Sequence, residues 1–243
     1  MRDILEALRN GEIVIGTVCD IEHPQVLEII GYAGWDYVLI NAEDSTTSPY
    51  GGSLDNLARA AYAAGITPMV KILLPDIGMV YKALNYGIKI IHASIKEKRE
   101  LELLMKAVKY PPEGTRIAFP FLRATKFGAV PWDNYWRAEN RSATIVPLLE
   151  TVEAMDNMDD ILSVKGIELA TIGPFDLAMN IGGVGAPGVA EKVDDYWKKF
   201  ESVCKAKGIH IMKPVAAPSQ LRAAVERGCR CIIPREATRS SSG

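Results

Sequence analysis

The chain has 243 residues, 48% of them hydrophobic, and a formal net charge of −2. That length supports one large core, and the near-balanced charge argues against a polyanion-binding surface and so against nucleic acid as a partner. No stretch approaches the roughly 20 apolar residues that a membrane-spanning helix needs.

The opening segment Met1–Arg9 places Ile4, Leu5 and Leu8 on one helical face, so it is expected to pack on the protein and not to act as a leader; a cytoplasmic location is the corresponding expectation. Short β-branched runs then alternate with helical patterns. Strands are predicted over Ile13–Val18, Tyr37–Asn41, Pro68–Ile72, Lys89–Ala93, Thr144–Leu149, Glu168–Ile172, His210–Pro214 and Arg230–Pro234. Helices are predicted over Pro24–Tyr32, Leu54–Ala63, Ile77–Asn85, Lys96–Val108, Val152–Leu162, Val189–Lys207 and Ser219–Glu226. Gly34, Gly65, Gly87, Gly166, Gly208 and Gly228 stand where helices return to strands, as C-cap glycines do. The connection Tyr110–Arg141, with its turn at Pro111–Gly114 and the aromatic residues Trp132, Tyr135 and Trp136, is long enough to be functional. A packed excursion between strands accounts for its composition equally well.

Eight strands with intervening helices predict an α/β protein, a parallel eight-stranded (β/α)₈ TIM barrel, as one domain over residues 1–243. The rival is an open doubly wound sheet, which usually carries a glycine-rich phosphate loop after an early strand; Gly16–Asp20 is not one. The final residues Glu236–Gly243 are too short and polar for a full eighth helix, so a truncated or missing C-terminal helix is expected. The four cysteines form no CxxC and read as buried thiols in a reducing compartment. His23, His92 and His210 lie far apart and show no metal-ligand spacing.

In such a barrel, side chains at the carboxyl ends of the strands face the site. Taken in order they are Asp20, then Asn41, Glu43 and Asp44, then Lys71, Glu150, Asp176, and finally Arg235 and Glu236. Glu150 closes one apolar run and Asp176 follows another, so adjacent fifth and sixth strands would bring both carboxylates to the same end. Oxygen ligands supplied this sparingly suit Mg²⁺ or Mn²⁺ and leave positions for water and a small oxo-acid substrate. Gly173-Pro174-Phe175-Asp176 reads as a strand running into a helix, whose free N–H groups suit a carboxylate. Plainer alternatives stand beside these: Asp176 as a helix N-cap, Lys71 as a solvated loop lysine.

The stretches Tyr110-Pro-Pro-Glu-Gly-Thr-Arg116, Arg123-Ala-Thr-Lys-Phe-Gly128, Leu149-Glu150-Thr151, Ile172-Gly-Pro-Phe-Asp-Leu177 and Gly182-Gly183 together resemble the HpcH/HpaI aldolases, metal-dependent class II pyruvate aldolases on a (β/α)₈ barrel. The resemblance covers nearly the whole chain. It implies a carbon–carbon lyase acting on a 2-oxo acid through a metal-bound enolate, with Glu150 and Asp176 as ligands of Mg²⁺ or Mn²⁺ and the Gly173–Asp176 turn holding the substrate carboxylate. It also implies a homo-oligomer built partly through the C-terminal helix. The family's second strand ordinarily ends Asp-Gly-Glu-His, whereas this chain reads Asn41-Ala42-Glu43-Asp44. Lys71 stands for an arginine, Leu148 for a glutamine and Phe175 for a small residue. On this reading Asp44 moves a proton, Lys71 steadies the enolate, and Glu43 and Arg123 complete the catalytic set. Asn41, Leu148, Gly173, Pro174 and Phe175 line the substrate; a structural salt bridge is an equal reading for Arg123. The altered positions leave open decarboxylation or a biosynthetic condensation on the same site, or a catalytically silent binding barrel.

Overall fold

The computed structural model describes residues 1–48, 52–72 and 75–234. Eight parallel strands close into a barrel in sequence order: β1 (Val14–Cys19), β2 (Tyr37–Asn41), β3 (Thr67–Ile72), β4 (Ile90–Ser94), β5 (Thr144–Leu149), β6 (Leu169–Ile172), β7 (His210–Val215) and β8 (Cys231–Pro234). β1 meets β8 through Val14↔Cys231 and Ile15↔Ile232, which closes the ring and overturns the open-sheet alternative. Arg235, Glu236 and the expected truncation of the last helix lie outside the described residues.

Helices follow the strands: α2 (Pro24–Tyr32), α3 (Gly52–Ala63), α4 (Ile77–Asn85), α5 (Lys98–Ala107), α6 (Trp132–Ser142), α7 (Val152–Asp156), α8 (Met158–Ile161), α9 (Pro174–Ile181), α10 (Val189–Lys207) and α11 (Pro218–Glu226). The period-two pattern divides each strand between two cores. Outward residues such as Val38, Ile40, Val70, Ile72, Ile91, Ile145 and Ile172 pack against Leu27, Leu57, Leu84, Leu104 and Phe200 of the helices. Inward residues Val14, Leu39, Met69, Ile90, Val146, Leu169, Met212, Cys231 and Ile233 fill the barrel.

A further helix, α1 (Ile4–Arg9), lies across the amino end of the barrel. Its Ile4, Leu5, Ala7 and Leu8 belong to the inner core. Polar ties fix it to three strand starts: Arg2 to Asp36, Arg9 to Glu168, and the Thr67 hydroxyl to the Arg2 carbonyl. Tyr37 crosses the same interior and donates its hydroxyl to the Ile232 carbonyl at 2.8 Å. A Cβ at Gly16 would lie 2.3 Å from that ring, so only glycine fits opposite it.

The connection Tyr110–Arg141 is a packed excursion. Arg123–Gly128 forms a short 3₁₀ segment, and Trp132–Ser142, expected as loop, is helix α6. Tyr110 meets Trp132 and Tyr135 edge-on. Arg116 pairs with Glu139 at 3.0 Å with both side chains buried, and its guanidinium lies 4.4 Å from the Tyr110 ring centroid. The helix expected over Val152–Leu162 is two short ones, broken at Asn157. All four cysteines are free and buried.

Candidate active site

β5 and β6 pair through Leu148↔Thr171 and Leu149↔Ile172. The Gly173 N–H then donates to the Leu149 carbonyl at 3.0 Å, one step beyond the strand ends. This sets Glu150 beside Gly173: a Cβ there would sit 2.7 Å from Glu150 Oε2 and 2.8 Å from its Cβ. Gly173 is the N-cap of α9, and Asp176 lies in its first turn, where a negative charge complements the helix dipole. The N-cap reading of Asp176 is therefore replaced: the cap is Gly173, which leaves the carboxylate uncommitted to that role.

Glu150 and Asp176 line one cavity of about 480 Å³ at the carboxyl end of the barrel. They also line an adjoining hollow with Glu43, Ser94 and Asn180. Burial raises the Glu150 carboxyl above the usual carboxylate range; the Ser94 hydroxyl and the Lys71 ammonium pull it back, while the charges of Glu43 and Asp176 push it further up. Leu148 and Phe175 are on the cavity wall, Leu148 buried and Phe175 at the mouth, 52% exposed.

The strand ends opposite carry the polar half. Asn41 pairs in register with Lys71, and Lys71 with His92. The Asn41 side-chain oxygen, Oδ1, accepts from the backbone N–H of Glu43 and of Asp44, both at 3.1 Å, which folds the segment after β2 into a tight turn. Its amide nitrogen donates to Asp20 at 2.7 Å and to Asp44 at 3.4 Å. Lys71 Nζ then donates to Asp44 at 3.0 Å and forms an ion pair with Glu43. Burial opposes its charge, but hydrogen bonding and attraction from Glu43 and Asp44 outweigh this and raise the lysine above its ordinary value. It is a half-buried permanent cation, not the solvated loop lysine of the plainer reading. Asp44, 63% exposed, reaches water.

Arg123 stands elsewhere, which corrects its expected place beside these residues. Its guanidinium donates to the Tyr86 carbonyl, pairs with Asp55 at 3.4 Å and lies 5.0 Å from the Tyr62 ring centroid. It anchors the long connection to α3 and α4, as the salt-bridge alternative held.

The structure adds His92, an inward residue of β4 on the same cavity. Sequence reasoning set it aside for want of a second histidine at ligand spacing. The signal was its phase: Ile90 and His92 alternate on the inner face of β4, as Met69 and Lys71 do on β3.

The sequence profile of the HpcH/HpaI aldolase/citrate lyase family matches residues 19–232. The chain belongs to this family. A pyruvate aldolase of Rhizobium etli is 30% identical to it over 206 residues, covering 83% of this chain and 80% of that protein. A 5-keto-4-deoxy-D-glucarate aldolase of Escherichia coli K12 is 27% identical over 220 residues, covering 88% and 83%. The crystal structure of an HpcH/HpaI aldolase/citrate lyase family protein from Burkholderia cenocepacia J2315 superposes with a TM-score of 0.87 at 21% identity, covering 96% of this chain and 92% of that one.

The site chemistry suits the divalent metal associated with HpcH/HpaI aldolases. Glu150 and Asp176 present two oxygen donors to one cavity, near enough that the charge of Asp176 adds to the burial that raises the Glu150 carboxyl. Among the described residues no group of three or more His, Cys, Asp or Glu is placed to enclose an ion. Two carboxylates with open positions fit a hard cation that shares its ligands with substrate and not a closed structural site.

Proposed function

We propose that this chain is a divalent-metal-dependent, aldolase-like carbon–carbon lyase that acts on a 2-oxo acid through its enolate. The observation that carries the reading is one cavity at the carboxyl end of the barrel lined by Glu150, Asp176 and the cationic Lys71. Glu150 and Asp176 would hold Mg²⁺ or Mn²⁺, which would supply Lewis acidity toward the keto oxygen of the acid. Backbone N–H groups of Phe175 and Asp176, at the start of α9, would take the carboxylate. Lys71 would balance the negative charge that grows on the enolate oxygen, a point charge where a guanidinium would give a fork. Glu43 and Asn41 act by position: one pins Lys71, the other holds the turn that presents Asp44. Asp44, in contact with solvent, would carry the proton between substrate and water. Leu148 gives an apolar wall, and Phe175 at the mouth meets the part of the substrate beyond the bond that breaks. The pyruvate portion of the substrate is inferred from the relatives named as pyruvate and keto-deoxy-sugar-acid aldolases.

The test is turnover with saturating Mn²⁺. Pyruvate released from a 4-hydroxy-2-oxo acid, and abolished by chelator, is the expected result. Release from oxaloacetate alone would make the enzyme a decarboxylase, and full activity in chelator would sink the metal mechanism. The double variant Asp44→His with Lys71→Arg is expected to gain aldol cleavage over the parent, with Leu148→Gln adding to it. A parent already as fast as the variants would show the substitutions to be neutral.

A further inference from the structure

His92 is 5% exposed, yet it lines the cavity, and neither Nδ1 nor Nε2 has a hydrogen-bond partner among the described residues. A buried polar atom without a partner costs about 1–3 kcal/mol, and a stable fold seldom carries two on one ring without a use for them. The neighbouring polar groups are committed elsewhere. Asn41 satisfies both ends of its amide, Lys71 is held by Glu43 and Asp44, and the Thr171 hydroxyl donates to the Met212 carbonyl at 2.8 Å. The other inward side chains near it include Leu39, Met212 and Ile233. His92 is therefore an uncommitted hydrogen-bonding side chain of the cavity, one strand from the cation of Lys71 and at its level.

We propose that His92 is a substrate-contacting residue whose imidazole hydrogen-bonds an oxygen of the bound oxo acid beside Lys71. The proposal rests on the oxo-acid reading of the site. Burial, helped by the charge of Lys71, lowers the imidazole pKa to about 3, so the ring is neutral in the physiological range. A neutral ring offers one N–H donor and one acceptor lone pair. It thus presents a donor that adds no charge to a site already crowded with carboxylates. That suits an acid whose own charge is already met by Lys71 and the α9 N-terminus. With the family's second-strand histidine replaced by Asp44, His92 is the imidazole that the cavity retains.

The experiment uses the full chain labelled with ¹⁵N-histidine, titrated with pyruvate in the presence of Mg²⁺. The ring nitrogens of His92 are expected to move, while those of His23 and His210 stay fixed and serve as internal controls. His92→Phe is expected to weaken apparent pyruvate affinity about tenfold, and His92→Gln, which keeps a donor and an acceptor, to recover part of the loss. The nuclear resonance arm needs no variant, so a failure of His92→Phe to fold leaves the proposal exposed to refutation. Saturable pyruvate binding with an unmoved His92 ring would overturn the assignment and leave the oxo-acid reading standing. Absence of pyruvate binding to the parent, with Mg²⁺ present, would overturn both.

Discussion

Lys71 shows how a single residue joins function to stability. Its ammonium is held by Glu43 and Asp44, so removing it takes a charge from the cavity and strands a buried carboxylate. Charge-assisted contacts of this kind are worth about 1.5–3 kcal/mol. Lys71→Met is therefore expected to lower kcat/KM roughly ten- to a hundredfold and to lower Tm as well. Lys71→Arg should keep the stability, and an unchanged rate for Lys71→Met would place the lysine outside the chemistry. Glu150 behaves in the opposite sense. Its carboxyl is raised by burial, so its ionised form is less favourable folded than unfolded. Glu150→Gln should abolish metal-dependent turnover yet leave the chelator-treated protein at least as stable as the parent; a clear drop in Tm would contradict this. Asp176→Asn should also lose turnover and most Mn²⁺ affinity.

His92 makes a pH prediction with a definite sign. Its folded pKa of about 3 lies below the ordinary value of 6.5, so between those values the unfolded chain binds a proton that the folded chain refuses. Stability is whole above about pH 6.5 and drains as pH falls toward 3. Lys71, facing the ring from β3, deepens the effect. Denaturant titrations at pH 7 and 4.5 should show His92→Gln losing about 1–3 kcal/mol less than the parent over that interval. Equal losses would mean that the imidazole is hydrated in solution.

Among the elements, the strands and their order were readable because each apolar run is short, β-branched and followed by a glycine-punctuated helix; the predicted β2 and β5 have the observed limits. Helix α6 was not readable. Its stretch Trp132–Trp136 lacks a strong local helix signal, and the helix is held by distant partners, above all Arg116 on Glu139. Of the candidate site, Glu150 and Asp176 were legible from their positions after strands, whereas Arg123 was not, because its partners Asp55 and Tyr86 come from two other elements. The β5–α9 junction carries its own prediction. Gly173→Ala would drive a methyl group into Glu150, against its Cβ as well as its carboxylate. The expected result is a loss of turnover and metal affinity far larger than the loss in Tm, since the side chain that must yield is the one presenting the carboxylate. Turnover at the parental rate would show that Glu150 has room to rotate away without harm.

At the scale of the molecule, the barrel is completed by α1 as much as by its strands. Leu8 is wholly buried in the inner core, and Leu8→Ala should cost about 2–5 kcal/mol, measurable by denaturant unfolding. A value near zero would show that the helix merely rests on the barrel.

The stopper formed by α1 has a consequence for traffic. With the amino end plugged, the cavity is a blind well, filled and emptied through its carboxyl mouth. If the oxo acid sits against Lys71 and His92 while the second fragment lies toward Phe175, the two products queue: the aldehyde leaves first and the acid last. Product-inhibition kinetics would then show pyruvate competing with the substrate for the vacated enzyme, and the aldehyde inhibiting in a mixed pattern. The reverse pattern would mean that the acid departs past a bound aldehyde, and that the well has a second exit.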